Sequence, residues 1–388
     1  MKYVVCVPDG AADEPLDELG GRTPLEAAAM PNLAALAAVG DVGLAATIPP
    51  AFPPGSDVGN LSILGYDPAR YHTGRAPIEA AAMGLRLRPD QVAYRCNLVT
   101  VGADGTMVDF AGGHPSSDKA AEVIAALDEE LGSDVSFHPG VQYRHIMVAP
   151  RELADAACTP PHDLTGRQAV WPAGPAAPAL RDLMDASRAV LSRFDVAANQ
   201  IWLWGQGPQP QIPSFADTYG LQAALVSAVD LVRGLGALTG IPVVAVEGAT
   251  GWYDTNYEGK RDACLQALAD GADLFLIHVE ASDEAGHAGD VAEKVRALEN
   301  WDSRIIGPLV EALDDSVARQ GPWRLLLLPD HPTSLRTRTH TADPVPYLLV
   351  DSERSGPGGT FSEAALAGHT AVPGHTLMAR LVGHGPRT

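Results

Sequence analysis

The sequence predicts an α/β fold, a mainly parallel sheet with helices on both faces, into which a smaller α+β domain is inserted. Short apolar runs at residues 3–7, 243–246, 274–279 and 324–328 read as strands buried on both faces, because their hydrophobicity is continuous rather than alternating. Helical stretches at 258–269 and 291–313 fall between them, and this strand–helix alternation is the pattern of a parallel sheet. The texture changes between 91 and 211, where that alternation stops. A length of 388 residues, at ~100–200 residues per domain, also calls for two domains. The expected division is therefore 1–90 with 212–388 as one discontinuous domain, and 91–211 as the insertion.

Taken in order, the run 3–7 stops at Pro8-Asp9-Gly10 and leaves Asp9 at the carboxyl end of its strand, the edge where open α/β sheets bind ligands. Residues 23–39 have helical character interrupted by Pro31 and closed by Gly40, and 42–47 form a weak strand. Next comes Pro53-Pro54-Gly55-Ser56-Asp57-Val58-Gly59-Asn60, a loop whose prolines cannot extend a ladder and which presents one hydroxyl. Taken alone, Ser56 reads as a helix N-cap. Within the insertion, 92–101 and 142–148 read as strands, 117–131 as an amphipathic helix opened by serine and closed by Gly132, and 172–178 as a Pro/Ala/Gly linker. Beyond it, Val291, Val295, Leu298, Trp301, Ile305, Ile306, Leu309, Val310 and Leu313 recur at helical spacing through one long helix, and 345–350 is a last strand.

A composition of 46% hydrophobic and 19% charged residues fits a chain that buries a sizeable core. The net charge of −21 argues against nucleic acid or an anionic membrane as a main partner. Cys6, Cys96, Cys158 and Cys264 are far apart with no CxxC pair, as in reduced cytoplasmic thiols. No stretch approaches the ~18 apolar residues of a membrane span, and the apolar run before Asp9 is too short for a signal segment. A soluble cytoplasmic protein is expected.

The chemistry-bearing residues share one placement. Strand-like runs lead into Asp9, into Asp283 and His287, and into Asp330-His331, with His340 following and Ser56 on its loop. Strand ends of one parallel sheet lie side by side, so these groups converge although the sequence separates them widely. Asp283 and His287 are four apart and face one way on a helical turn. A mixed Asp/His set suits divalent Mn, Zn or Co, and two such sites ~4 Å apart would clamp the attacking and leaving oxygens of a phosphoryl transfer.

The motifs DEAGH, PDH, THTADPVP, VPDG and PPGSDVGNLSILGYDP, with CTPPHD, IWLWGQG and DTNYEGK, resemble the archaeal-type cofactor-independent phosphoglycerate mutases of the alkaline phosphatase superfamily over nearly the whole chain. The resemblance implies an alkaline-phosphatase-like catalytic domain with a substrate-binding cap. It implies a phosphorylated nucleophile at Ser56, one metal on Asp9, Ser56, Asp330 and His331, and another on Asp283, His287 and His340. The expected cofactors are two divalent ions, Mn2+ first, with Zn2+, Co2+ or Mg2+ as alternatives. The implied reaction interconverts 3-phosphoglycerate and 2-phosphoglycerate, a step of glycolysis and gluconeogenesis, so the partner is a small phosphorylated acid. Candidates for its carboxylate and phosphate are Arg75 near the nucleophile loop, His114, Arg144, His145, His162, Asp163, Lys260 and Arg338. His114 is also a candidate proton shuttle. Arg144 and Lys260 read equally well as solvated surface charges, and His138, His278, His369, His375 and His384 as surface, core or cap residues.

Two departures from the family pattern stand out. The segment after His331 reads PTSLRTRTHT, so Arg336 and Arg338 compete for one arginine's place, and Gly59 replaces a usual alanine, a change expected to be minor. Other readings are a related phosphotransferase, such as a proposed homoserine kinase, a phosphatase that releases the phosphoryl group to water, or a silent binding protein. The chain has no GxxxxGK[ST] loop for a nucleotide donor.

Overall fold

Strand Lys2–Pro8 is the axis of the larger sheet and is buried at every residue but its first. It pairs in parallel with Trp323–Leu327 on one side and Leu274–Val279 on the other. The sheet continues past Leu274–Val279 to Ala223–Val226, also parallel. Past Trp323–Leu327 it continues through Val345–Asp351, antiparallel to the strand on either side, and Asp41–Ala46 to Val372–Pro373, which runs parallel to Asp41–Ala46. Six of the seven strands therefore share one direction, and only Val345–Asp351 is reversed. The computed structural model describes residues 1–387, with the side chains of 317–319 left out of the description.

The chain divides into two compact units, Met1–His72 with Ile212–Thr388, and Thr73–Gln211. The boundary expected at 90/91 thus moves to 72/73. The reason is helix Arg75–Ala82, whose Ala76 and Ala80 pack with Ala93, Ile146 and Val148 of the second unit's sheet. That sheet is antiparallel, with Gln91–Val101 between Arg144–Pro150 and Gln200–Gly207, and Ser136–Val141 and Met107–Asp109 completing it. Helices Ser117–Leu131 and Ala177–Leu191 bury Leu127 and Met184 in one core with Tyr94, Leu98 and Trp202.

Start signals act locally where they were legible. Thr23 forms a reciprocal capping box with Glu26, and Pro31 opens helix Pro31–Ala37 at its first turn, where a missing N–H costs nothing. Ser116 caps Ser117–Leu131 and Gly132 closes it.

Three expectations change. The run 243–246 makes only an isolated bridge from Val243 to Leu225, and the sheet strand is Ala223–Val226 instead. The expected linker at 172–178 already contains the start of helix Ala177–Leu191, with proline tolerated in the first turn. The long helix of 291–313 is three pieces, Val291–Asn300, a π-type stretch Trp301–Ile306 and Gly307–Gln320. The wide turn carries Asp302 into the core, where its carboxylate accepts from Leu33 N at 2.7 Å and Asn32 Nδ2 at 2.9 Å. No helix among the described residues is long and apolar enough to cross a membrane.

Candidate metal centre

The centre stands on the three adjacent parallel strands at the middle of the larger sheet. Asp9 directly follows Lys2–Pro8, Asp330 follows Trp323–Leu327, and Asp283 lies in the first turn of helix Ala281–Ala288, which follows Leu274–Val279. Because the strands neighbour one another, so do the three carboxylates. Ser56 is the first residue of helix Ser56–Ile63. The cap position belongs to Gly55, so the Ser56 hydroxyl is not engaged in capping, and its Oγ lies 3.1 Å from His331 Nε2.

Close packing holds this helix to the strand ends. Asn60 Nδ2 donates to Asp330 Oδ2 at 2.8 Å and to the Ser56 carbonyl at 3.0 Å. Asp57 Oδ2 is paired with His72 Nε2 at 2.8 Å. A Cβ at Gly59 would come 2.6 Å from the Asp330 carbonyl oxygen, so an alanine would force the helix or the strand end to shift and the change from alanine is not minor. Gly10, at φ +61°, is tighter still, since a Cβ there would meet Asp283 Oδ1 and Thr333 Oγ1. Its N–H donates to Asp330 Oδ1 at 3.1 Å, and His331 N to the same oxygen at 3.0 Å.

Among the described residues, three groups each bring one donor atom per residue within 4.8 Å of one another: Asp283, His287 and His340; Asp9, Asp283 and His331; and Asp9, His278 and Asp330. In the first, His287 Nδ1 donates to the Arg338 carbonyl at 3.1 Å, which turns Nε2 toward the other two members. That Nε2 faces His340 Nε2 at 2.9 Å and Asp283 Oδ2 at 3.3 Å. Two imidazole nitrogens and a carboxylate aimed at one point form a donor set for a cation. Asp9 Oδ1, buried and without a hydrogen-bond partner, points the same way for the neighbouring group. The residues therefore fit divalent metal ions.

Electrostatics agree with that fit. Burial, followed by the charges of Asp330 and Asp283, raises the Asp9 carboxyl well above the usual carboxylate range. Burial also pushes His331 down to about 4, so it offers a neutral imidazole. Burial disfavours a charged Asp283, but His340 and His287 outweigh it and hold the carboxylate well below its usual range. Burial likewise opposes protonation of His287, yet the contact with Asp283 raises it to about 9. A buried set of clustered carboxylates is costly without positive charge among them, and a cation supplies it.

The substrate candidates are placed unevenly. Lys260 is not a surface charge: it is fully buried, and its Nζ donates to Glu280 Oε2 at 2.5 Å and the His278 carbonyl at 2.8 Å. Burial in a structural pair removes it from the substrate contacts. His145 is buried too, pushed down to about 3 by burial and by Arg95, and its Nδ1 accepts from Gly140 N, which removes it as a cationic contact. Arg336 is engaged with the Pro15 carbonyl and Glu14, whereas the exposed Arg338 guanidinium has no polar partner among the described residues.

Within the second unit, the remaining candidates are joined by aromatic rings. Arg75 lies over Trp204 at 5.5 Å, and the ring of His162, whose neighbour is Asp163, meets Trp204 edge-on at 5.3 Å. Phe110 links His162 to Tyr143, which meets His114 at 5.4 Å and lies under Arg144 at 5.5 Å.

Sequence reading missed Trp204 and Tyr143 in this chain of contacts, and with them Asn97, whose Oδ1 accepts from Trp204 Nε1 at 3.1 Å, and Arg95, whose guanidinium lies over the Trp204 ring at 4.9 Å, because each sits inside an apolar strand run or beside one. It also left Thr333, Asn60 and His278 out of the centre. The signal for Asn60 was its place in the Ser56 loop; His278 ended a strand beside Asp283 but looked like core.

A family profile described as 2,3-bisphosphoglycerate-independent phosphoglycerate mutase matches residues 37–197. The protein of that name from Methanothrix thermoacetophila is 49% identical over 364 residues, which cover 91% of each chain. A Pyrococcus horikoshii protein of solved structure superposes with a TM-score of 0.78 at 26% identity, over 100% of this chain and 98% of that one. The cofactor-independent phosphoglycerate mutase from Thermoplasma acidophilum superposes with a TM-score of 0.64 at 26% identity, over 99% of each chain. At nearly half identity along almost its full length, this chain belongs to the 2,3-bisphosphoglycerate-independent phosphoglycerate mutase family.

Proposed function

We propose that the chain interconverts 3-phosphoglycerate and 2-phosphoglycerate through a phosphoserine at Ser56, in the cytoplasm, with no free bisphosphoglycerate. The observation that carries the reading is the Ser56 hydroxyl, 3.1 Å from His331 Nε2 and at the first position of a helix beside the converged Asp9, Asp283 and Asp330. Asp9, Ser56, Asp330 and His331 would hold one divalent ion, and Asp283, His287 and His340 another. Mn2+ is the proposed metal, with Zn2+, Co2+ and Mg2+ as alternatives. When bound, such ions would acidify the hydroxyl and balance charge on the transferring phosphoryl group.

The protein's own groups do the positioning. The Thr333 hydroxyl donates to Asp283 Oδ1 and accepts from His331 Nδ1 at 3.3 Å, so His331 Nε2 keeps its lone pair toward Ser56. In the proposed cycle Ser56 Oγ gives up its proton and bonds to phosphorus as the bond to glycerate O3 breaks and O3 takes up a proton. Glycerate then turns over within the site, and O2 gives up its proton and takes the phosphoryl group back as the Oγ–P bond breaks and Oγ is reprotonated. The positive end of helix Ser56–Ile63 favours the phosphate while Ser56 carries it. Arg75, His162 and Asp163 beside Trp204, with His114 and Arg144 on Tyr143, are the proposed glycerate contacts of the second unit, and the free guanidinium of Arg338 is a further one.

The test is an enolase-coupled assay from 3-phosphoglycerate on Mn2+-loaded protein, with mass spectrometry of Ser56 after an acid quench. Turnover and a phosphorylated Ser56 are expected. No turnover at full metal occupancy would overturn the reading, and ATP-dependent phosphorylation of homoserine would put a kinase in its place.

A further inference from the structure

We propose that Lys294 and Asp13, a buried pair outside the donor groups, are positioning residues of the centre: they fix Thr333, and through Thr333 the place of His340 against Asp283 and His287. Asp330, His331 and His340 lie on one segment, which folds into the two-stranded hairpin Thr333–Ser334 with Thr339–His340, apart from the larger sheet. Two strands alone are marginally stable, so the hairpin takes its place from what grips it. Thr333 is the residue gripped most closely. It stands opposite His340 in the hairpin, and its hydroxyl contacts Asp283 Oδ1 and lies 3.3 Å from His331 Nδ1. A Cβ on Gly286, between Asp283 and His287 in sequence, would come 2.8 Å from the Thr333 carbonyl oxygen, so helix Ala281–Ala288 rests against the same residue. A displacement of Thr333 is therefore a displacement of donors on both elements.

Lys294, from helix Val291–Asn300, reaches that carbonyl from the core. It has no exposed surface, and its Nζ donates to Thr333 O at 2.6 Å, Asp13 Oδ2 at 2.8 Å and Ala12 O at 3.3 Å, three acceptors for its three protons. Asp13 Oδ2 also accepts from Leu335 N at 3.1 Å, and Asp13 Oδ1 from Glu14 N at 2.8 Å. The pair thus holds the backbone on both sides of Ser334 and ties it to the loop that follows Asp9. Desolvation offsets much of the attraction within a buried ion pair, so its net stabilisation is small. What it supplies here is a fixed reach from one helix to two loops, and groups that hold ligands in place set metal affinity nearly as strongly as the ligands do.

The inference rests on the reading of the centre as a cation site, and its test reads the ion's surroundings rather than turnover. Full-length protein freed of metal with EDTA is titrated with Co2+ and followed by visible absorption. The bands of the ion at His287 and His340 are those lost in His340→Ala. In Lys294→Met these bands should shift, and this Co2+ should bind ~10- to 100-fold more weakly. Should that variant fail to fold because Asp13 is left without its counter-charge, Lys294→Met with Asp13→Asn leaves no lone charge inside and gives the same readout. Asp302→Ala, which loosens the same unit through helix Pro31–Ala37, should leave bands and affinity as they are. Unchanged bands and affinity in the folded Lys294 variants would overturn the inference, as would an equal change in Asp302→Ala, which would trace the effect to general loosening. Undisturbed binding in the Lys294 variants would overturn this inference alone, whereas no Co2+ bound by the unaltered protein would overturn the cation reading as well.

Discussion

The Ser56 hydroxyl and the His331 imidazole meet at 3.1 Å across 275 residues of sequence. Thr333, which joins His331 Nδ1 to Asp283, gives the contact its direction, so Nε2 accepts from the serine. Ser56→Ala should therefore lower mutase kcat/KM by ~10^4-fold or more, the usual scale for loss of a nucleophile. The variant removes one small hydroxyl, so its thermal midpoint and its binding of Mn2+ at Asp283, His287 and His340 should survive. Near-normal turnover in Ser56→Ala would refute the nucleophile assignment.

Gly59→Ala tests how closely the nucleophile helix approaches the strand ends. The added methyl would lie 2.6 Å from the Asp330 carbonyl oxygen, which is backbone and cannot rotate aside. Overpacking of this kind costs ~1–3 kcal/mol. A drop in thermal midpoint together with reduced activity is expected, and an unchanged protein on both counts would contradict the packing described.

Lys260→Met leaves the Glu280 carboxylate buried and uncompensated. Breaking such a pair costs ~3–5 kcal/mol, which urea denaturation will register. Replacing both partners, Lys260→Met with Glu280→Gln, should recover part of the loss, because no lone charge then remains inside. If Lys260 were instead a surface charge in contact with substrate, the single variant would leave stability unchanged and raise KM.

Removal of metal should act on stability as well as rate. Asp9 converges with Asp283 in one donor group and with Asp330 in another, and burial and the charges of Asp330 and Asp283 oppose the ionised form of Asp9. EDTA is expected to abolish turnover and lower the thermal midpoint, and Mn2+ should restore both, since ligands that bind only the folded state stabilise it by mass action. Full activity after exhaustive chelation would rule out the metal requirement.

Asp302→Ala should destabilise the larger unit without touching the chemistry. The lost carboxylate serves two N–H groups in the first turn of helix Pro31–Ala37, at 2.7 and 3.2 Å, as a cap supplied from 270 residues away in sequence. The expected cost is ~1–2 kcal/mol, with kcat unaltered in the folded protein.

The legible part of this protein lies where signals are local. Lys2–Pro8, Leu274–Val279 and Trp323–Leu327 are continuous apolar runs, and the three carboxylates of the centre follow them within one helical turn of sequence or less. Asp283 with His287 is likewise a local spacing on one helical turn. Where the reading fell short, a distant partner decided the outcome. The π-type turn at Trp301–Ile306 depends on Asp302 reaching Asn32 and Leu33. The run 243–246 is reduced to one bridge against Ala223–Val226, which pairs with Leu274–Val279 in its stead, and helix Arg75–Ala82 joined the second unit through Ala93 and Ile146.

The sequence by itself therefore determined the strand ends, their carboxylates and imidazoles, and the loop bearing Ser56, because hydrophobic period and turn chemistry act over a few residues. Only the tertiary structure decided which of those groups face one another. Ser56 as nucleophile candidate rather than cap, Lys260 as a buried counter-ion and His278 against Asp9 all follow from the adjacency of Lys2–Pro8, Trp323–Leu327 and Leu274–Val279. That adjacency is a pairing between segments hundreds of residues apart, and no local propensity encodes it.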